Sequence, residues 1–594
     1  MYSRHSLSLW FAQRPRRNFL ILSALLVLAL YWHAFSAPFV YDDLDQIVNN
    51  PNLQPWSSFV HRFFFRPVSL NTSYLGYGGS TYRPLFWLSL FLDRAVWGLS
   101  APAFHATNIL LHFLNGNLVF ALFRRLKLPV STAAAVALLW LSLPINTEVV
   151  AWVSGRSYVL CTFFILLCLL SAITHLERAQ PRWAIVCSLT AACAVLSHEL
   201  GIVILPILLV LVFVTRLKWS KGLFLTIGAV TAAVMAVEAI RIGVGVKSFS
   251  AFASIKWIGL ASWEYVSLTV LPVHMSVERS TTLSLSQPHL WSYVGLLGFG
   301  LVLGYALFRR RDQPVLLDGL GWFAIGVAPF CILLNYQGLA ERFAYFAAIG
   351  MVAAIVAVCM DVSQPQVRRA LAVCLALWSL WNLCRTSIRV ADWSDEVRLY
   401  RSSLAATPQS PSVHFNLAYS LRERGQLQEA IAEYQRTVDI DKRFPKGYAG
   451  LGDAYLRMNS YAQAQAAYQK ALAQDPNDAA VLLNVGAAYQ GAGALPEADA
   501  TWQRVLQIDP KSSAAHVNLG VLYVAENRQS DAMHQFAIAI DMKSNDIVPY
   551  YDLGALFQQA GRGDLAMPLY TKVLELKPGD EDTLRNIRLL QQGH

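Results

Sequence analysis

The sequence predicts an all-α protein in two parts, a polytopic membrane helix bundle followed by an α-solenoid of helical repeats. Three observations lead there. Hydrophobic residues make up 55% of the 594 positions. Apolar runs long enough to cross about 30 Å of hydrocarbon recur through the first 390 residues. A period of 34 residues then takes over, the signature of stacked supersecondary units. Charge divides at the same place. Residues 1–390 carry 29 Lys and Arg against 14 Asp and Glu, and residues 391–594 carry 19 against 24. The basic excess belongs to the membrane part, where flanking cations orient helices, and gives no case for nucleic-acid binding.

The first apolar run, 19–36, follows Arg14, Arg16 and Arg17 as a signal peptide would. It continues into Pro38-Phe39-Val40-Tyr41 without a small-x-small cleavage site, so a retained first helix is expected. Further spans are expected near 103–123, 128–145, 157–176, 183–198, 200–215, 222–240, 289–308, 315–334, 343–361 and 370–388, about eleven in all. The stretch 254–274 is apolar but holds Lys256, Glu264 and His274, which suits an interfacial or re-entrant segment. Charge supports that choice. With a cytoplasmic N-terminus, the inner segments contain Arg124-Arg125-Lys127, Arg178 and Arg182, Arg216-Lys218-Lys221, Arg309-Arg310-Arg311 and Arg368-Arg369. Every one is basic, as expected for cytoplasmic loops. The eight cysteines all lie in apolar stretches and form no zinc spacing or disulfide framework.

That topology sorts the acids. Asp42, Asp43, Asp45, Asp93, Glu148, Glu199, Glu238, Glu264, Glu278 and Glu341 fall on or near the outer side, with Arg83, Arg156, Arg241, Arg279 and Arg342. Asp42-Asp43 stands six residues past the first run, where paired acids repel and sit badly beside lipid. Any one of these groups also fits a helix-ending loop, snorkelling or an interhelical ion pair. A one-sided cluster favours a polar chamber.

From Pro411 to Asp580 the 34-residue period runs without a gap. Leu417, Leu451, Val485, Leu519 and Leu553 share one phase, followed by Ala418, Gly452, Gly486, Gly520 and Gly554. Ala430, Ala464, Ala498, Ala532 and Ala566 share another, followed by Tyr434, Tyr468, Trp502, Phe536 and Tyr570. Small residues admit close helix approach and the aromatics fill between, as in five tetratricopeptide repeats. The expected division is a membrane domain over 1–390, a half-repeat junction over 391–410, repeats over 411–580, and a capping helix and tail over 581–594. Asn416, Asn484 and Asn518 hold the sixth repeat position, where amides can bind an extended peptide backbone without reading its sequence. That stripe resembles the asparagine ladder of O-GlcNAc transferase. Polar residues facing neighbouring helices of an ordinary repeat remain the alternative.

Nearly the whole length resembles the transmembrane O-mannosyltransferases with tetratricopeptide repeats, the TMTC family of the GT-C superfamily. The resemblance rests on Phe39-Val40-Tyr41-Asp42-Asp43, Asn50-Pro51, Tyr82-Arg83-Pro84-Leu85 and Phe104-His105-x-x-Asn108-x-Leu110-Leu111-His112. It continues through Asn146-Thr147-Glu148-Val149-Val150-Ala151, Gly155-Arg156, Leu196-Ser197-His198-Glu199-x-Gly201, Ala340-Glu341-Arg342-x-x-Tyr345 and Asp392-Trp393. Asn146 and His198 depart from the histidine and lysine usual in the family, which puts the role of the His198 turn in doubt. Glu278 would be the family's acid after a Pro-containing segment. The short array favours a bacterial member.

The resemblance implies transfer of a hexose, with inversion, from a polyprenyl-phosphate sugar to a protein hydroxyl on the outer face. A Ser or Thr hydroxyl needs a carboxylate base, for which Asp42, Asp43 and Glu148 are the candidates. The departing lipid phosphate needs cations, best supplied by Arg forks, and Arg83, Arg156 and Arg342 are the candidates. His198, Glu199, Glu278, Glu341 and Tyr345 would support them. Asn416, Asn484 and Asn518 would bind a protein or peptide acceptor. No Gly-rich phosphate loop occurs, and the sequence leaves open whether a divalent cation assists. The expected setting is a bacterial inner membrane, in contact with lipid, with the repeats periplasmic. The rivals are an oligosaccharide ligase or polymerase using a lipid diphosphate, and a non-enzymatic membrane-anchored scaffold.

Overall fold

The computed structural model describes residues 14–50, 53, 56–64, 68–71, 78–178, 180–215, 221–244, 255–273, 275–277, 290–308, 314–332, 339–360, 362–444, 446–542 and 546–592. The chain divides into two compact units between Asn416 and Leu417. In the first, α1 (Pro15–Tyr31) and α2 (Trp56–Phe64) precede an antiparallel ribbon, β1 (Val68–Asn71) and β2 (Gly78–Thr81), paired Val68 to Thr81 and Asn71 to Gly78. Then come α3 (Pro84–Trp97), α4 (Ala101–Arg125), α5 (Val130–Leu141), α6 (Thr147–Ala151), α7 (Arg156–Arg178), α8 (Pro181–Ser197), α9 (Ile204–Thr215) and α10 (Lys221–Gly243). The unit continues with α11 (Ile255–Val270), α12 (Leu290–Phe308), α13 (Pro314–Ile332), α14 (Ala348–Met360), α15 (Pro365–Asp392) and α16 (Glu396–Ala406). Apart from the ribbon the fold is all-α.

Each of the eleven expected segments holds an apolar helix. Length and composition qualify six of them, among the described residues, to cross a membrane: Pro15–Ser36, Ala101–Arg125, Val153–Arg178, Lys221–Gly243, Val315–Ile332 and Pro365–Asp392. A seventh is the pair Val130–Leu141 and Pro144–Ala151, bent by 55° at its break. Pro144 opens the second piece and cannot continue the first helix's hydrogen-bond ladder. The 254–274 stretch forms α11, sixteen residues long, packed on α12 and α13.

Prolines in the first turn start α1, α3, α4, α8 and α15, where the missing N–H costs nothing. Small residues bring spans together. A Cβ on Gly319 of α13 would sit 2.5 Å from the Gly350 carbonyl of α14, so these backbones touch. In the second unit, helical pairs follow one another from Gly447–Arg457 with Tyr461–Leu472 to Val548–Gln559 with Gly563–Leu576, closed by Glu581–Gln592. The two sequence phases meet here. A Cβ on Gly452 would lie 2.5 Å from the Tyr468 ring, on Gly520 2.5 Å from Phe536 and on Gly554 2.9 Å from Tyr570. Each aromatic fills the space its own repeat's glycine leaves, and all three rings are fully buried.

Candidate active site

After α1 a short 3-10 turn, Trp32–Ser36, releases the chain toward Asp42-Asp43. The two carboxylates differ. Asp43 is fully buried, and its Oδ1 accepts from the Ser154 backbone N–H at 2.9 Å and from Ser154 Oγ at 2.6 Å. Burial pushes its carboxyl up to about 6, against the pull of the Ser154 and Val40 hydrogen bonds. Asp42 keeps 8% exposure, and Gln46 Nε2 donates to its Oδ2 at 3.4 Å.

Ser154 belongs to the segment after the 55° break, and that segment organises the rest. Glu148 accepts from the Arg342 backbone N–H at 2.8 Å and pairs with its guanidinium at 2.5 Å. The same guanidinium lies over the Trp152 and Phe343 rings. Arg156, fully buried, pairs with Asp93 at 2.7 Å and donates to Asn108 Oδ1, Phe104 O and Ser89 O. Asn108 in turn donates to Trp152 O at 3.0 Å, a carbonyl that also accepts from the Gly155 N–H at 3.1 Å. Tyr158 packs on the His198 ring at 4.1 Å. His198 Nδ1 accepts from the Leu200 N–H, which places the proton of the neutral ring on Nε2.

Glu199, next in sequence, pairs with Arg83 at 2.8 Å and lies 3.9 Å from Arg241. These are the more open groups, with 16% of the Arg83 side chain and 28% of the Glu199 side chain exposed. Glu341 is sealed in, accepting from the Ser276 N–H and pairing with Arg389 at 3.4 Å. Tyr345 lies deeper, its hydroxyl 2.8 Å from His112 Nδ1 and 3.2 Å from Asn115 Nδ2 on α4. Glu278 lies outside the described residues.

The segment 147–158 thus carries Glu148 and Arg156 and touches Asp43, Arg342, Asp93 and His198. Sequence reading missed Ser154, Asn115, Tyr158 and Arg389. One signal was visible: His105, Asn108, His112 and Asn115 recur at three- and four-residue steps along α4, a polar stripe in an apolar helix. Among the described residues no group of three or more His, Cys, Asp and Glu is placed to hold a metal ion.

In the repeats, Asn484 donates to Asp453 at 2.9 Å, and Asp453 also accepts from Arg422 and Tyr468, each at 2.8 Å. Asn518 is half-buried. Asn416, which ends the first unit, is buried, with neither amide atom bonded among the described residues.

Comparison with known proteins adds the family. Models described as "TPR repeat" match residues 418–459 and 452–493, and one described as "Tetratricopeptide repeat" matches 399–432. The chain is similar to the protein O-mannosyl-transferase F38B6.6 of Caenorhabditis elegans, 25% identical over 72% of this chain and 63% of that protein. It is also similar to the protein O-mannosyl-transferase TMTC2 of Homo sapiens, 34% identical over 32% of this chain and 23% of that protein. Among solved structures it is similar to YrrB, a TPR protein with an unusual peptide-binding site, at 18% identity, 32% of this chain, 97% of that one and a TM-score of 0.26. The chain spans about 63% of the length of the nematode relative. It is therefore a membrane protein with tetratricopeptide repeats whose curated relatives, at 25–34% identity, are TMTC-family protein O-mannosyl-transferases.

Proposed function

We propose that this chain is a membrane glycosyltransferase that moves a hexose, mannose by analogy, from a polyprenyl-phosphate sugar to a Ser or Thr hydroxyl of a protein. The reaction takes place on the extracytoplasmic face, and the repeats hold the acceptor on that side. The proposed setting is a bacterial inner membrane with a periplasmic acceptor. The observation that carries the reading is the division of labour within Asp42-Asp43. Asp43 is tied to Ser154 and anchors the turn, which leaves Asp42, with 8% exposure, as the base.

Asp42 takes the proton as the acceptor oxygen attacks the anomeric carbon. The bond from that carbon to the lipid phosphate oxygen breaks, and the phosphate leaves with the electron pair. Arg83 is the best placed of the three candidate arginines to meet that charge, since it opens α3 and keeps solvent contact. Arg342 keeps only 9% of its side chain exposed and is paired with Glu148. Arg156 has Asp93, Asn108 and two carbonyls on its fork and acts as a structural tie.

Asp42→Asn is nearly isosteric and removes only the base. It should cut transfer by about 10² to 10⁴ while the protein stays folded and still binds donor. Intact mass of a purified acceptor, followed for hexose additions, reads the result. Near wild-type transfer by the Asn variant would leave the turn a mere helix end.

A further inference from the structure

We infer that α16, which begins the repeat phase, is also part of the reaction centre, and that Glu396 is a positioning residue holding the Asp42-Asp43 turn. The inference rests on the reading of that turn as the site of the base. Tyr41, immediately before the pair, has φ +58°. That left-handed conformation is costly for a bulky side chain and persists only where the surroundings hold it. Two contacts do so. The Tyr41 N–H donates to Glu396 Oε1 at 3.1 Å, across 355 residues of sequence, and the Tyr41 ring packs edge-on to Trp152 at 5.6 Å.

The rest of α16 engages the same end of the bundle. Ser403 Oγ accepts from the Val277 N–H at 3.2 Å, and Thr407 Oγ1 lies 3.0 Å from Ser276 Oγ. Ser402 Oγ accepts from Arg389 at 3.2 Å, the guanidinium that also pairs with Glu341. Trp393, buried just before the helix, stacks with Trp152 at 6.4 Å. A plain connector would need none of these bonds. The helix within which the repeat match begins, at residue 399, thus sets the backbone from which the proposed base projects.

Because Glu396 acts through a backbone amide, its loss should change turnover and leave donor binding alone. The test uses the full-length protein with Glu396→Ala, Glu396→Gln and Tyr41→Gly/Glu396→Ala. Hydrogen exchange over residues 38–48 should rise in Glu396→Ala while the rest of the bundle is unchanged. The kcat should fall about tenfold, about 1.4 kcal/mol of barrier, with the donor KM unmoved. Glu396→Gln keeps an accepting oxygen and should restore both readouts. Glycine at position 41 removes the left-handed cost and should recover part of the turnover in the double variant. Unchanged exchange over 38–48 in Glu396→Ala, or damage in Glu396→Gln equal to that in Glu396→Ala, would overturn the assignment. Exchange needs no substrate, so it judges the latch even where no donor and acceptor yield product, an outcome that would sink the transferase reading alone. If Glu396→Ala does not accumulate, Glu396→Asp, one methylene too short, gives the same exchange test.

Discussion

Asp43 and Arg156 form, with Glu148 and Glu341, a sealed floor at the α1-exit end of the bundle. Asp42, Arg83 and Glu199 keep some exposure and make up a more open set, the rim. Both layers are built of the same residue types, and both were expected to serve the reaction. The difference is partnership. Arg156 has no exposed side-chain surface and four acceptors for its donors, whereas Arg83 keeps 16% of its side chain open beside the Glu199 carboxylate. A buried, saturated guanidinium would have to leave several bonds to meet a phosphate, and desolvated charges separate at great cost. On the proposed reading the floor governs folding, and the rim is where a substrate intervenes.

The harshest trial of that division is Glu148→Ala, which leaves the Arg342 guanidinium buried without its carboxylate. Removing one partner of such a pair costs about 3 to 5 kcal/mol, so the variant should show a large fall in Tm and yield. A fully stable but inactive Glu148→Ala protein would move Glu148 from the floor to the chemistry.

A smaller contrast lies between two lysine variants. Arg83→Lys keeps the charge but loses the planar fork. It should raise the donor KM about tenfold, about 1.4 kcal/mol, with little change in Tm. Arg156→Lys should instead lower Tm and leave the donor KM of the folded fraction alone. The reverse pattern would exchange the two roles.

The mildest effect is a pH slope. The Asp43 carboxyl is raised by burial from 3.8 to about 6 in the folded protein. Between those values the native state holds a proton that the unfolded chain has released. Asp43 thus contributes stability that is complete below about 4 and is lost as pH rises through about 6. Asp43→Asn keeps an acceptor for Ser154 and cannot titrate. Its Tm relative to wild type should therefore climb from pH 4 to pH 7. A flat difference would mean that Asp43 is ionised throughout, and so less enclosed than its burial indicates.

Local features of this architecture were legible in the sequence. Glycine and aromatic recur 34 residues apart because each pair must pack within one repeat, as Gly452 does on Tyr468. The apolar segments likewise declared their helices. Span number was less legible, because apolar runs also yield helices shorter than a full crossing, such as Pro181–Ser197 and Ala348–Met360. The acids and arginines of the site could be gathered to one end by charge counting, but not paired. Ser154 lies 111 residues from Asp43, and Arg342 lies 194 from Glu148. No local period encodes such partners. The asparagine stripe shows the same limit: Asn484 is already bonded to Asp453, thirty-one residues away on the preceding repeat.

The long reach of the Glu148–Arg342 pair also bears on how the chain is made. Ribosomes add roughly 5 to 20 residues per second, so Glu148 emerges about 10 to 40 s before the arginine that neutralises it. During that interval an anionic side chain sits at the mouth of a half-built bundle with no cation to meet it. Lipid cannot receive it, so water or the insertion machinery must. The Asp43 turn waits even longer for Glu396, which follows Tyr41 by 355 residues. The order of synthesis therefore keeps the proposed reaction centre unfinished until every span has been inserted, and a truncated product would be left with an open, unlatched turn.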